Sequence, residues 1–333
     1  MPSPRLALYL QDELPMPKAL GIVRLAEECG FEAVWQAESR LSRDPTVCIA
    51  AYASTTRRIG VGTAVMNMWT RNVATMAQTF ATLDDIAPGR VRLGLGAWWE
   101  PMASNVGVRR ERPVAAMREI VTSLQRLFRM EKVSYEGIHV RVRNLQIDTL
   151  EGIPPAKKIP VLVGATGDKM LEMAGEVADG VLLNYFVSTD YNRNALAQIR
   201  KGCAKAGRSV ESVDRPQLIV CACHENRDRA FDVARGLVTK YLGHQAHLAR
   251  ASGIDPGLLD EIHSIVGWPI DKSKVDRAKR LVPDDVVQKL TAAGTPDECF
   301  DACMAYLKSG ATAAIVYPVC DAEFTVKALA QRR

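Results

Sequence analysis

The stretch from Ile59 to Gly96, IGVGTAVMNMWTRNVATMAQTFATLDDIAPGRVRLGLG, constrains this chain more than any other, because it reads without a break as strand, loop, helix, stop and second strand. Ile59 to Val65 is short, apolar and punctuated by glycine. Val73, Met76, Ala77, Phe80, Leu83 and Ile86 then recur at helical spacing, and Pro88-Gly89 ends the helix. Val91 to Gly96 follows as a strand buried on both faces, as parallel strands are. The stretch is therefore one βαβ crossover.

The alternation recurs about eight times along the 333 residues. Leu6 to Leu10 and Ala33 to Gln36 precede the unit, and Ile159 to Val163, Gly180 to Leu183, Leu218 to Ala222 and Ala313 to Tyr317 follow it. Helices separate them: Lys18 to Cys29 stops at Gly30, another starts near Asp44-Pro45, and a long one runs from Val114 to Met130. This pattern predicts a (β/α)8 TIM barrel, a fold that commonly occupies this length as one domain, so residues 1–333 read as a single unit. Two insertions are expected. One is a surface hairpin near 131–158, where VSYEGIHVRVRNLQI alternates; the other is a helical excursion near 241–291, too long for a plain connection and without a clear strand.

Composition removes several function classes. A net charge of +5 and the lack of any block of five like charges give nucleic-acid binding no support. No membrane span is indicated, and the apolar run before Gln11, Asp12 and Glu13 is too short for a secretory signal, so a cytoplasmic location is expected. Eight cysteines without a CxxC pair read as reduced thiols. Cys221 and Cys223 share one face of a strand and His224 the other, which fits core thiols better than metal ligands. His244 and His247 have no carboxylate or cysteine at metal-site spacing, and no metal is expected.

In such barrels the reacting groups sit at the C-terminal ends of the strands. Gly164-Ala165-Thr166-Gly167 lies directly after the strand IPVLV and before the helix DKMLEMAGEVA. Glycines there let backbone N–H groups approach a phosphate, and the helix N-terminus adds a favourable field of about 0.5–1 kcal/mol. By geometry alone the turn serves equally as a phosphate cup or as a tight strand-to-helix connection. Trp98 and Trp99 follow the fourth strand, where they either wall a substrate pocket or pack under a loop. Glu13, Glu38 and Glu100 are the carboxylates placed by the strand-end rule to move a proton. Arg109, Arg110 and Arg112 fit a solvated helix start.

Gly62, Val65, Asn67 and Arg71 match a G-x-x-V-x-N-x-x-x-R pattern, and Pro88 to Arg90 with Leu93, Gly94 and Gly96 match PGR-x-x-LG-x-G. Both belong to the bacterial luciferase-like superfamily, and the chain resembles especially its branch around methylenetetrahydromethanopterin reductase, which uses the deazaflavin coenzyme F420. Gly164 to Gly167 match its GA-x-G turn, and a GTP-x-E element recurs at Gly294 to Glu298; the likeness is weakest from about 241 to 290. The resemblance implies that Gly164, Ala165, Thr166 and Gly167 hold the cofactor phosphate. It also implies a bulge with a non-prolyl cis peptide at Ala64-Val65 against one ring face, with Asn67, Gly96 and Asn184 as further cofactor contacts. Three places depart from the pattern. Leu8-Tyr9-Leu10 replaces a strand-one glutamate, Glu38-Ser39 stands where relatives have Asp-His, and Ala97-Trp98-Trp99-Glu100 replaces a small residue followed by an acid.

The resemblance thus implies an oxidoreductase that transfers hydride between reduced F420 and a planar C=N or C=C substrate, a reduced pterin or folate being the closest analogy. The alternatives are an FMN-dependent monooxygenase of the same barrel and a non-catalytic flavin-binding protein. A small-molecule substrate and a homodimer paired through outer helices are the expected partners.

Overall fold

The computed structural model describes residues 3–333 except 39, 244, 268 and 269. Ser39 and His244, singled out above, lie outside the described residues. Its strands are β1 (Leu6–Leu10), β2 (Ala33–Gln36), β3 (Gly60–Thr63), β4 (Met66–Asn67), β5 (Val91–Gly96), β6 (Val133–Glu136), β7 (Arg141–Leu145), β8 (Val161–Ala165), β9 (Gly180–Leu183), β10 (Pro216–Cys223), β11 (Ala292–Gly294) and β12 (Ala313–Pro318).

Among the described residues, β1, β2, β3, β5, β8, β9, β10 and β12 form one parallel sheet that closes on itself through the β9–β10 pairing, Gln217 opposite Leu183. This is the expected (β/α)8 barrel. Strand periodicity divides its apolar residues into two layers. Ala7, Tyr9, Trp35, Leu162, Leu182 and Ile315 fill the interior, while Leu8, Val34, Val61, Leu93, Val163 and Val316 pack outward under the helices. Both faces being dry is why these strands read as continuous apolar runs.

The third strand is shorter than expected: β3 stops at Thr63, the Ala64-Val65 peptide is cis, and β4 resumes beside β5 with Met66 opposite Leu95. Between 131 and 158 the antiparallel pair β6–β7 forms, tied down by Glu119, whose carboxylate accepts the backbone N–H groups of Ile138, His139 and Val140. Among the described residues the segment after Tyr241 carries four helices, Ala246–Ala251, Pro256–Val266, Lys272–Lys279 and Asp284–Leu290. A short strand missing from the sequence reading, β11, adds to β10 as three residues, too few for periodicity to reveal. Thr295 then caps the helix Pro296–Lys308 in a capping box with Glu298.

Candidate active site

The loops at the C-terminal ends of the barrel strands surround a cleft of about 1100 Å³. Its floor is the break between β3 and β4. Val65 projects between two glycines: a Cβ at Gly96 would lie 2.3 Å from Val65 Cγ2, and one at Gly164 would lie 2.7 Å from Val65 Cγ1. Neither position tolerates a side chain without moving the ridge. Gly96 and Gly164 therefore shape the floor, and Gly164 acts on Val65 rather than opening room for a phosphate as the sequence suggested.

Opening room is the part of Gly167. A Cβ there would meet nothing within 4 Å, and its φ of −99° suits any residue. Gly167 is the N-cap of the helix Asp168–Val177 and offers no side-chain cap. The first amides of that helix thus point toward the cleft without an intrahelical acceptor. Ala165 is buried, and the Thr166 carbonyl accepts the Tyr191 hydroxyl at 2.6 Å, which holds the turn in place.

The polar residues of the third-strand loop are committed to the protein itself. Glu38, with its side chain 5% exposed, accepts from the Asn67 backbone N–H at 2.6 Å, from Asn67 Nδ2 at 2.8 Å and from Arg71 Nη1 at 2.9 Å. Arg71 also reaches Asp44 at 2.7 Å. With three donors already holding its carboxylate, Glu38 is corrected from catalytic candidate to anchor of the ridge. Asn67 Oδ1 likewise accepts from the N–H groups of Trp69 and Thr70 and from the Thr70 hydroxyl, which leaves its amide little capacity for a cofactor ring.

Glu100 is corrected as well. It is exposed, stands outside the cleft wall, and accepts from the Ser104 hydroxyl at 2.7 Å, a bond that holds its carboxyl below the usual range. Glu13 remains. It lies at the rim, exposed to solvent on one side, and accepts the hydroxyl of Tyr317 from the end of β12. Burial, with the Glu13 charge added, pushes the Tyr317 phenol up, so it stays protonated as a donor.

The aromatic wall was largely missed by the sequence reading. The rings of Tyr9 and Tyr317 meet edge-on at 5.0 Å, Tyr185 stands 6.3 Å from each, and Phe186 and Tyr241 continue the cluster at 4.5 Å from one another. Tyr185 lies two residues beyond β9 and Tyr317 is the penultimate residue of β12, so an aromatic near a strand end was the available signal. Asn184 donates to the Tyr241 hydroxyl at 2.9 Å, which turns its amide toward this wall. On the opposite wall Trp98 and Trp99 both line the cleft. Trp98 adopts a left-handed φ of 58°, costly for a bulky residue, and its indole Nε1 is buried without a partner. Of the three arginines near 110, Arg110 reaches the cleft, its Nε donating to the Ala97 carbonyl at 2.8 Å.

No group of three or more His, Cys, Asp or Glu among the described residues could hold a metal ion. Cys221 and Cys223 are fully buried in β10. The residues present fit a planar ring with a phosphate-bearing tail: the space over Gly167 leaves room for an anion at the first amides of the helix Asp168–Val177.

The family model described as luciferase-like monooxygenase matches residues 4–313. The chain is 30% identical over 287 residues to the 5,10-methylenetetrahydromethanopterin reductase of Methanolobus tindarius, covering 86% of this chain and 85% of the relative. It is 29% identical over 226 residues to the F420-dependent glucose-6-phosphate dehydrogenase of Microbacterium testaceum, covering 63% of this chain and 66% of the relative. The solved coenzyme F420 dependent tetrahydromethanopterin reductase from Methanopyrus kandleri superimposes with a TM-score of 0.87 at 25% identity, over 99% of this chain and 98% of that one.

Proposed function

The chain belongs to the luciferase-like monooxygenase family, and on that premise we propose that it is an F420-dependent oxidoreductase acting on a planar substrate with a C=N or C=C bond. The observation that carries the reading is the meeting, in one cleft, of a ridge clasped by Gly96 and Gly164 with an open helix N-terminus at Gly167. Relatives at 28–30% identity that are named for F420 or for methylenetetrahydromethanopterin reduction support the cofactor class. A reduced pterin-like ring is the substrate we favour, because Tyr9, Tyr185 and Tyr317 give the cleft an aromatic wall that carries hydroxyls.

When bound, a reduced deazaflavin supplies the hydride. The chain's own residues do the rest. Val65 and its flanking glycines support one ring face, and Gly167 with the helix Asp168–Val177 holds the phosphate. The cluster of Tyr9, Tyr185 and Tyr317 keeps water from the reacting face and positions the substrate. Glu13, open to solvent and hydrogen-bonded to Tyr317, carries the proton that balances the hydride on the reduced C=N nitrogen. We place this activity in the cytoplasm, in keeping with eight free thiols and with the finding that no helix among the described residues is long and apolar enough to cross a membrane. A homodimer is the proposed assembly, to be checked by sedimentation.

Titration of the purified protein with F420 and, separately, FMN tests the cofactor by fluorescence quenching. Saturable binding of F420 with none of FMN is expected; the reverse would replace hydride transfer with flavin-dependent oxygen chemistry.

A further inference from the structure

Among the described residues, two cations lining the cleft have no partner: the exposed Lys169, in the first turn of the helix Asp168–Val177, and the half-buried Lys240. Arg40 is held at 2.9 and 3.0 Å by the two oxygens of Asp12, and Arg110 donates to the Ala97 carbonyl. Lys240, from the last turn of the helix Arg227–Leu242, lines the same cleft half-buried, and among the described residues nothing forms a hydrogen bond or an ion pair with it. Burial, with Arg40 next in effect, lowers its pKa, against the weaker pull of Asp12 and Glu13. Taking an ammonium partly out of water without a fixed counter-charge is unfavourable unless a ligand supplies the anion.

Resting on the function proposed above, we propose that Lys240 binds a carboxylate on the side arm of the substrate, so that the substrate is a planar heterocycle with an acidic arm. Three observations support the substrate rather than the cofactor. The phosphate turn follows β8, and β1 lies on the opposite side of the closed strand order, with the order β12-β1 on one side and β8-β9 on the other. Lys240 is coupled to the β1 side, since Asp12, Glu13 and Arg40 are the charged groups that influence it. With its phosphate held at Gly167, the acidic tail of F420, which extends beyond the phosphate and away from the ring, would leave the cleft on that side.

Protein loaded with F420 is titrated by calorimetry with folic acid, a pterin ring whose arm ends in carboxylates, and with 6-methylpterin, the ring without the arm. F420 and its tail-less deazaflavin precursor are titrated alongside. Lys240→Met is expected to weaken folic acid about tenfold, Lys240→Arg to restore most of it, and 6-methylpterin and both deazaflavins to be unaffected. Unchanged folic acid affinity in Lys240→Met, or no folic acid binding to wild-type protein that binds F420, overturns the inference and leaves the hydride-transfer reading standing. A loss for F420 that its tail-less precursor does not share also overturns it, by assigning Lys240 to the cofactor tail. If F420 fails to bind while folic acid still discriminates the variants, the cofactor reading falls and the carboxylate site remains.

Discussion

The two ends of the barrel treat their polar groups in opposite ways. At the N-terminal end Arg5 bridges two carboxylates, meeting Glu32 at 2.7 Å and Asp214 at 3.0 Å, and Asp214 also accepts the Thr312 hydroxyl. Arg215 spends its guanidinium on the carbonyls of Val210, Val213 and Gly310. At the C-terminal mouth Lys240 has no partner among the described residues, and the space over Gly167 is open. Arg92 is the exception below: its Nη1 is buried without a hydrogen bond, although Glu32 and Asp214 lie near enough to favour its charge. The difference teaches where folding energy ends and binding begins. Satisfied polar groups lock strands together, whereas groups left unsatisfied at one end are those a ligand can complete.

The contrast breaks first at the proton. Glu13→Gln is expected to lower turnover about 10²–10⁴-fold with F420 affinity unchanged, while Glu100→Gln leaves both as they were. Glu38→Gln should instead weaken F420 binding and turnover together, because it loosens the ridge; steady-state kinetics alongside F420 titration separates the three. If Glu13→Gln turns over normally, the proton path through Tyr317 is wrong.

Cofactor affinity gives the next largest effect. Gly167→Val adds a side chain where the backbone is permissive and space is open, so it should weaken F420 about tenfold or more and leave the melting temperature unchanged. Gly164→Val forces Val65 aside and should lower both affinity and melting temperature. Equal affinity losses without any melting difference would remove the distinction between floor and cup.

The smallest effects belong to the lower end. Arg5→Ala leaves Glu32 and Asp214 with only the buried Arg92 as a nearby cation; with Arg5 partly exposed, a loss of about 1–2 kcal/mol by chemical denaturation is expected, with F420 affinity unaltered. Burial alone would raise the Asp214 carboxyl, but hydrogen bonds from Arg5 and Thr312 and the Arg5 charge bring it below the usual range. A carboxylate depressed in the folded state contributes stability above about pH 4 and loses it as the pH falls through its folded value. Asp214→Asn should therefore flatten the fall in stability at acid pH. An unchanged acid limb would show that the lower cluster does not govern it.

The barrel was legible because eight short apolar runs separated by helical spacing admit few other arrangements, and both faces of each strand are buried. Strand-end position was enough to place Gly167, Trp98 and Glu13 at the cleft. It could not separate Glu13 from Glu38 or Glu100, since the fate of a carboxylate is decided by which donors reach it. Arg71, well along the chain, claims Glu38, and Ser104 claims Glu100.

By itself the sequence determined periodicity, helix stops and the glycine turns, all of which follow from local torsions and the spacing of apolar residues. The tertiary structure alone decided that Val65 lies between Gly96 and Gly164, that Tyr9, Tyr185 and Tyr317 form one wall, and that Lys240 has no counter-ion among the described residues. Those facts depend on closing the barrel, which brings together residues far apart in the chain, and no local pattern encodes the distance between them.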